Sequence, residues 1–460
     1  MTDLSEPNTL LTLVGLATIV VTVGLLVWGR VSPVVAMTVV PIAAAFVIGT
    51  SFENITDYFH SGLDSVMGVV VMFIFAIIYF GIVTDAGLFD PVVRGLILAT
   101  RGHIILVTMG TVLIAAVAHL DGTGATTFLL TIPALLPLYK ALNMSRYLLL
   151  LLVSLSALIM NMVPWGGPVA RAASATGIDP IELYRPLIPV QAVAMVMLLV
   201  LAALLGMREQ RRIKTQVVAG QVESDGKTVD IHEIADDFTA TQVANREDIT
   251  RDMASGRGVY WANVVVTIAV LTVMMGGWFP PELTFLIGVG IALPLNFRNA
   301  SAQMSRIQVY APNALMMATI IIAAAVFLGV LRESGMLESI ALSLLAIMPA
   351  SVGSVLHLIV GGLGVPLDML TSTDAYYFSV LPLTDATASQ FGVSTASTTY
   401  ALMIGNNIGT FISPFSPAMW LAIGLAGATY GKHLKYSFFI MWGFSIALLA
   451  AAVAMGIVQV

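Results

Sequence analysis

Two short polar runs lie inside otherwise apolar sequence: DGTGATT at Asp121 to Thr127, and TSTD at Thr371 to Asp374. These residue types hold ions rather than transform substrates, because small residues expose backbone amides, hydroxyls add donors and acceptors, and an aspartate adds charge. Two further places interrupt apolar runs. Pro164, Gly166, Gly167 and Pro168 form the first, with Asn161 just before it; Gly409, Pro414 and Pro417 form the second, with Asn406, Asn407 and Thr410 beside it. A helix broken within a membrane frees the amides at the start of its second half, where the helix dipole favours an anion. Two such ends facing each other make an anion site. Arg171, just after the first break, either pairs a carboxylate of the substrate or closes a structural salt bridge. Asp121 and Asp374 are candidates for proton coupling and for contact with a metal carried by the substrate, and each also suits the cap of the helix that follows. Asp85, Asp90, Glu333 and Glu338 fall where spans leave the membrane and read as solvated there; His357 reads as a satisfied core histidine.

The elements that must position these groups are membrane helices. The chain is 58% hydrophobic and 10% charged, a surface that water does not support. Apolar runs long enough to cross roughly 30 Å of hydrocarbon recur along the length, for about ten crossings. The first, Thr9 to Trp28, is followed by Arg30 and reads as a span rather than a leader. Arg208 to Arg257 is rich in both signs of charge and reads as a solvated linker, with membrane halves at residues 1–207 and 259–460. Its basic start (Arg208, Arg211, Arg212, Lys214) places it in the cytoplasm.

The halves repeat one another. FGIVTDAGLFD at 80–90 is similar to LGVLRESGMLE at 328–338, pairing Gly81 with Gly329 and Asp85 with Glu333. LDGTGATTFLLTIPALLPLY from Leu120 parallels LDMLTSTDAYYFSVLPL from Leu367, and the run from Asn161 parallels the run from Asn407. An odd number of crossings separates corresponding elements, so the second copy runs inverted, the usual build of secondary transporters. Each half is expected to hold a re-entrant hairpin (about 102–140 and 340–385) and a broken helix (about 147–180 and 395–428). The basic residues Arg101 and Lys140 at both ends of the first polar segment favour a hairpin over two full spans. The fold class is therefore all-α and polytopic.

Other chemistries are excluded one by one. The chain has no cysteine, hence no thiol nucleophile and no cysteine metal site. GLAGATYGKH departs from a phosphate-binding loop at Ala426 and His433, and no HExxH run occurs. No nucleophile constellation and no nucleic-acid footprint stand out, which leaves an intramembrane enzyme or a channel as rival classes and a transporter as the reading.

FAIIYFGIVTDAGLFDP, LDGTGATTFLLTIPALLPLYK and NMVPWGGPVAR resemble the bacterial citrate-metal-proton symporters, the CitMHS family, and the resemblance covers almost the whole chain. It implies a homodimer in the inner membrane, a scaffold and a mobile transport region moving as an elevator, and uptake of citrate with protons. It implies no resident cofactor, with Mg2+ or Ca2+ carried alongside the substrate. A sodium-coupled carboxylate carrier or an anion exchanger is the alternative within the wider ion transporter superfamily. The implied cradle comprises Gly122, Thr123 and Gly124, then Ser372, Thr373 and Asp374, with Asn161, Trp165, Gly166 and Gly167 on one side and Asn406, Asn407, Gly409 and Thr410 on the other. Thr123 and Ala125 stand where the family's first tip has a second aspartate and a serine, and NNIGTFISP replaces a break that carries a histidine. A carboxylate substrate is the expectation, with free anion an alternative to the metal complex.

Overall fold

The computed structural model describes residues 7–28, 30–218, 231–245, 253–254 and 256–460. They are overwhelmingly helical, without named strands. Seven of the described helices are long and apolar enough to cross a membrane, and shorter apolar helices stand between them.

In order, the first part of the chain forms α1 (Thr9–Trp28), α2 (Pro33–Val47), α3 (Phe52–Asp85), α4 (Asp90–Ala99), α5 (Ile104–Ala118), α6 (Gly124–Ala141), α7 (Arg146–Met160), α8 (Gly167–Thr176) and α9 (Pro180–Val218). After α10 (Ile231–Asn245) the later part forms α11 (Arg257–Gly276), α12 (Pro281–Asn296), α13 (Ala300–Glu333) and α14 (Met336–Ile347). The arm before the second tip is α15 (Leu356–Gly362) and α16 (Gly364–Thr371). Beyond that tip the chain passes through a π-helical turn, Tyr376–Val380, into α17 (Leu381–Ser389), then α18 (Thr395–Asn407), α19 (Pro417–Ala426) and α20 (Tyr430–Ala454).

The order of lengths recurs: α3 and α13 are both 34 residues long, each followed by a short helix and then by a tip between two arms. These long helices pack on each other, with α2 and α12 alongside. Their crossing needs two glycines, since a Cβ at Gly62 would strike the carbonyl of Ala325 and one at Gly329 would strike that of Tyr58. Asp85, expected to be solvated where its span leaves the membrane, is instead mostly shielded. Its Oδ2 pairs with Arg306 Nε at 2.7 Å and accepts the Tyr310 hydroxyl at 2.7 Å, tying the end of α3 to α13.

The second group of elements surrounds α7 and α18. Every residue from Leu148 to Ile159 in α7, and from Ser397 to Asn407 in α18, is buried. Helices buried all round, as these are, stand at the centre of a bundle. The hairpin arms, α9 and α20 pack about them.

The charged stretch between the halves is more structured than a solvated linker. Its α10 docks on α4 and α6 because Ala235 and Phe238 are buried and Ile231 and Ile234 pack beside them, an apolar stripe at helical spacing. Arg94 and Asp236 close an ion pair at 2.7 Å over this contact. The remaining charged runs of that segment, at 219–230 and 246–252, lie outside the described residues.

Replacing Gly62 by Ala is expected to cost about 1–3 kcal/mol, because the added methyl meets rigid backbone. Gly95→Ala, with nothing within 4 Å, is expected to be neutral or slightly stabilising. Melting temperatures of the two purified variants in one detergent check the contrast.

Candidate functional site

The first tip is a tight reversal. Three residues, His119–Asp121, follow α5, and Gly122 takes φ +73°, a left-handed conformation that favours glycine, before α6 begins. Glycine is also required by space, since a Cβ on Gly122 would lie 3.1 Å from Trp165 and one on Gly124 would lie 2.6 Å from the Phe411 ring. Asp121 folds back on its own turn: Oδ1 accepts from the Thr123 amide at 2.9 Å and Oδ2 from the Thr123 hydroxyl at 2.7 Å. His119 is fully buried and bonds Thr127 Oγ1 through Nδ1 at 2.7 Å. The Thr127 hydroxyl donates to Thr123 O, which leaves it as the acceptor for His119 and fixes the Nδ1–H tautomer.

The second tip turns at Ser372, a non-glycine residue with φ +78° whose hydroxyl accepts from the Ala375 amide at 3.4 Å. Strain of this kind persists only where the surroundings enforce it. Thr373 donates its hydroxyl to Asp368 Oδ1 at 3.0 Å. Asp374 leaves its own hairpin altogether and pairs with Arg171 Nε at 2.7 Å. Both side chains of that pair are mostly shielded, at 14% and 17% exposure.

The broken helices meet between the tips. Asn161 donates from Nδ2 to Asn407 Oδ1 at 3.4 Å, and Asn407 in turn donates to the carbonyl of Leu158. Gly166 lets the chain turn against the Asn161 carbonyl, and Gly167 leaves room for the Arg171 guanidinium. Trp165 donates its indole N–H to Leu120 O at 2.9 Å and stacks on Phe80 of α3 with centroids 5.0 Å apart. On the other side Asn406 donates to Asp368 Oδ1 at 2.8 Å, Ser413 donates to Asp368 O at 3.0 Å, and Gly409 lies against Val365 of α16. The Thr410 hydroxyl is buried without a partner among the described residues.

The sequence-derived residues are therefore brought together in linked contacts, with Asp121 turned inward on Thr123, Arg171 committed to Asp374, and Asn161 committed to Asn407. Two participants escaped the sequence reading, Asp368 and Phe411. The signal for the first was present, since the register that aligns LDGTG with LDMLT sets Asp368 against Asp121. Phe411 likewise stands at the position of Trp165 when Asn161 is aligned with Asn407. Among the described residues, no group of three or more His, Asp or Glu side chains is placed to hold a metal ion. A cavity of about 560 Å³ lies away from the tips, lined by Ser61, Ser65, Arg332, Glu333 and Gln390 among others.

A polytopic helical protein whose interrupted helices and polar tips converge in this way has the build of a membrane transporter. The fold is similar to that of the YdaH transporter from Alcanivorax borkumensis, with a TM-score of 0.54, 15% identity, and coverage of 88% of this chain and 90% of that one. The citrate transporter family matches residues 13–405, and the chain belongs to that family. A citrate transporter of Bacillus subtilis strain 168 is 30% identical over 98% of this chain and all of its own length. The same organism's Mg(2+)/citrate complex secondary transporter is 31% identical over 97% of this chain and 98% of its own. The protein is a transporter and not an enzyme.

The Arg171–Asp374 pair supplies a test of how the elements are joined. Arg171→Gln and Asp374→Asn are each expected to lower stability by on the order of 2 kcal/mol, since each leaves a shielded charge unpaired. The double variant should lose less than the sum. Thermal melts of the four proteins in detergent complete the cycle, and additive losses would show that the pair contributes no coupling.

Proposed function

We propose that this chain carries citrate, or a related di- or tricarboxylate, across the bacterial inner membrane by secondary transport driven by a proton gradient, with a divalent metal accompanying the substrate. The convergence of both tips and both broken helices carries this reading, and the naming of one relative for the Mg(2+)/citrate complex supports the metal-bound form. Amides at the starts of α6, α8 and α19, with Thr123, Thr373, Asn161, Asn406, Asn407 and Thr410 around them, form the cradle for the carboxylates. Asp121, Gly122, Gly124, Ser372 and Gly409 shape it, and Trp165, Gly166 and Gly167 complete the first side. Arg171 is neutralised by Asp374 when no substrate is bound. An empty carrier built this way takes no unpaired cation back across the membrane.

The movement is an elevator in an inverted repeat, with residues 1–207 and 259–460 as the halves and the charged segment between them in the cytoplasm. Support comes from the α3–α13 crossing. The register that aligns Gly81 with Gly329 also aligns Gly62 with Tyr310, and the contacts of Gly81 with Tyr310 and of Gly62 with Gly329 are the same contact seen from either half. Asn161 and Asn407, which align with each other, touch each other, as residues on a two-fold axis do. The body of α2, α3, α12 and α13 is the scaffold, two copies of which form a dimer, and the bundle around α7 and α18 is the part that moves.

Uptake of labelled citrate into proteoliposomes under an imposed pH gradient tests the substrate, with magnesium, with calcium and with chelator. Accumulation that needs both the gradient and the metal is expected; accumulation undiminished by chelator would make the free anion the substrate. The absence of native cysteines allows a second check. Thr123→Cys and Ser372→Cys should each react more slowly with a small polar thiol reagent once magnesium and citrate are added, and equal labelling would remove the tips from the site.

A further inference from the structure

Asp368 closes the last turn of α16 and is fully buried. Its Oδ1 is well supplied, accepting from Thr373 Oγ1 and from Asn406 Nδ2. Among the described residues its Oδ2 has no hydrogen-bond partner, and neither has Oδ1 of the same Asn406. Both bare atoms are acceptors, and they belong to a carboxyl and a carboxamide already joined through their other ends. What such a pair lacks is one hydrogen. A proton on Asp368 Oδ2 makes that atom a donor to Asn406 Oδ1, and the acid and the amide then face each other through two hydrogen bonds, with both shortages removed by one proton.

The other two aspartates of the tips do not share this deficit. Each oxygen of Asp121 already accepts a bond from Thr123, and Asp374 is paired with Arg171. The charged and titratable groups that interact with Asp368 are Arg171 from α8 and Tyr376 and Tyr377 from the π-helical turn. Helix α1, which also packs on α16, carries no titratable side chain, and His433 of α20 is turned to Phe411 O. The Tyr377 hydroxyl has no partner of its own among the described residues.

We propose that Asp368 carries the coupling proton, held on Oδ2 and donated to Oδ1 of Asn406. This deepens, and rests on, the reading of the chain as a proton-driven carboxylate carrier. Asn406 is the immediate neighbour of Asn407, which bonds Asn161 across the cradle, and Ser413 beyond it bonds Asp368 O. Loading the proton locks α16 to the second break through the acid–amide pair. Its loss sets two lone-pair oxygens against each other and releases Asn406 to turn. The state of one carboxyl thus reaches the substrate side chains through two adjacent residues.

The first readout needs no transport. Infrared difference spectra of the membrane-reconstituted protein, taken across a pH titration, should show among the protonated carboxylic C=O bands one component that is lost in Asp368→Asn and retained in Asp121→Asn and Asp374→Asn. A set of bands unchanged in Asp368→Asn overturns the assignment whether or not citrate is the substrate. The second readout uses proteoliposomes. In Asp368→Asn the new amide donates permanently to Asn406 Oδ1 and imitates the protonated acid, so the variant should fold. The ratio of accumulation driven by a pH gradient to exchange of internal for external citrate should fall at least tenfold in this variant. Retained proton-driven accumulation, or accumulation by the unaltered protein that follows a sodium gradient and ignores pH, overturns the proton assignment; the second of these would give the Asp368 and Asn406 oxygens to Na+. Failure of the unaltered protein to take up citrate under any gradient refutes the transport reading, and the infrared band still decides the proton.

Discussion

A helix that stops inside a hydrocarbon layer leaves amides and carbonyls with no water to satisfy them, and each unpaired group costs several kcal/mol. The architecture of this protein follows from how its interruptions solve that problem for one another. Trp165 at the first break covers the Leu120 carbonyl at the first tip, Ser413 at the second break covers the Asp368 carbonyl before the second tip, and Asn407 covers Leu158 at the end of α7. These contacts hold the interrupted segments to one another, and the amides at the helix starts beside them are the ones assigned to the proposed cradle.

This mutual dependence also explains what could be read from the chain beforehand. Interruptions are legible because they need particular residues: Gly122 for a left-handed turn, Gly124 for the approach of Phe411, Pro164 and Pro168 around the first break. The membership of the citrate transporter family, the helical class and the tips followed from such positions. Partnerships were not legible. Nothing in sequence says that Asp374 meets Arg171, 203 positions away, or that Asn161 meets Asn407, 246 away. Asp368 was overlooked for a related reason: a lone aspartate at the end of an apolar arm looks like interface, and only the fold shows that it is sealed from water. The docked helix α10 was hidden by the charges around it, which dilute a four-residue apolar stripe in any average over the segment.

Positions aligned by the proposed repeat differ in chemistry at informative places. Aligning Asn161 with Asn407 puts Pro417 opposite Arg171, so the ion pair with Asp374 has no counterpart in the other half. The aligned aspartates diverge as well. Asp121 is satisfied as a carboxylate by its own turn, whereas Asp368 looks outward to Asn406 and is left with an unmatched oxygen. Aromatics at the aligned positions Trp165 and Phe411 do not each guard their own tip, because both pack against the first.

An inverted repeat of the proposed kind needs its backbone symmetry to make the inward- and outward-facing states nearly equal in energy, since a carrier trapped on one side does not cycle. Backbone symmetry does not require equal side chains, and under the proposed reading the chain departs from equality at the second hairpin, where Asp374 pairs with Arg171 and Asp368 accepts from Asn406. The proposed site and the proposed proton would then share one hairpin, while the first is closed on itself by Asp121 and packed by two aromatic rings.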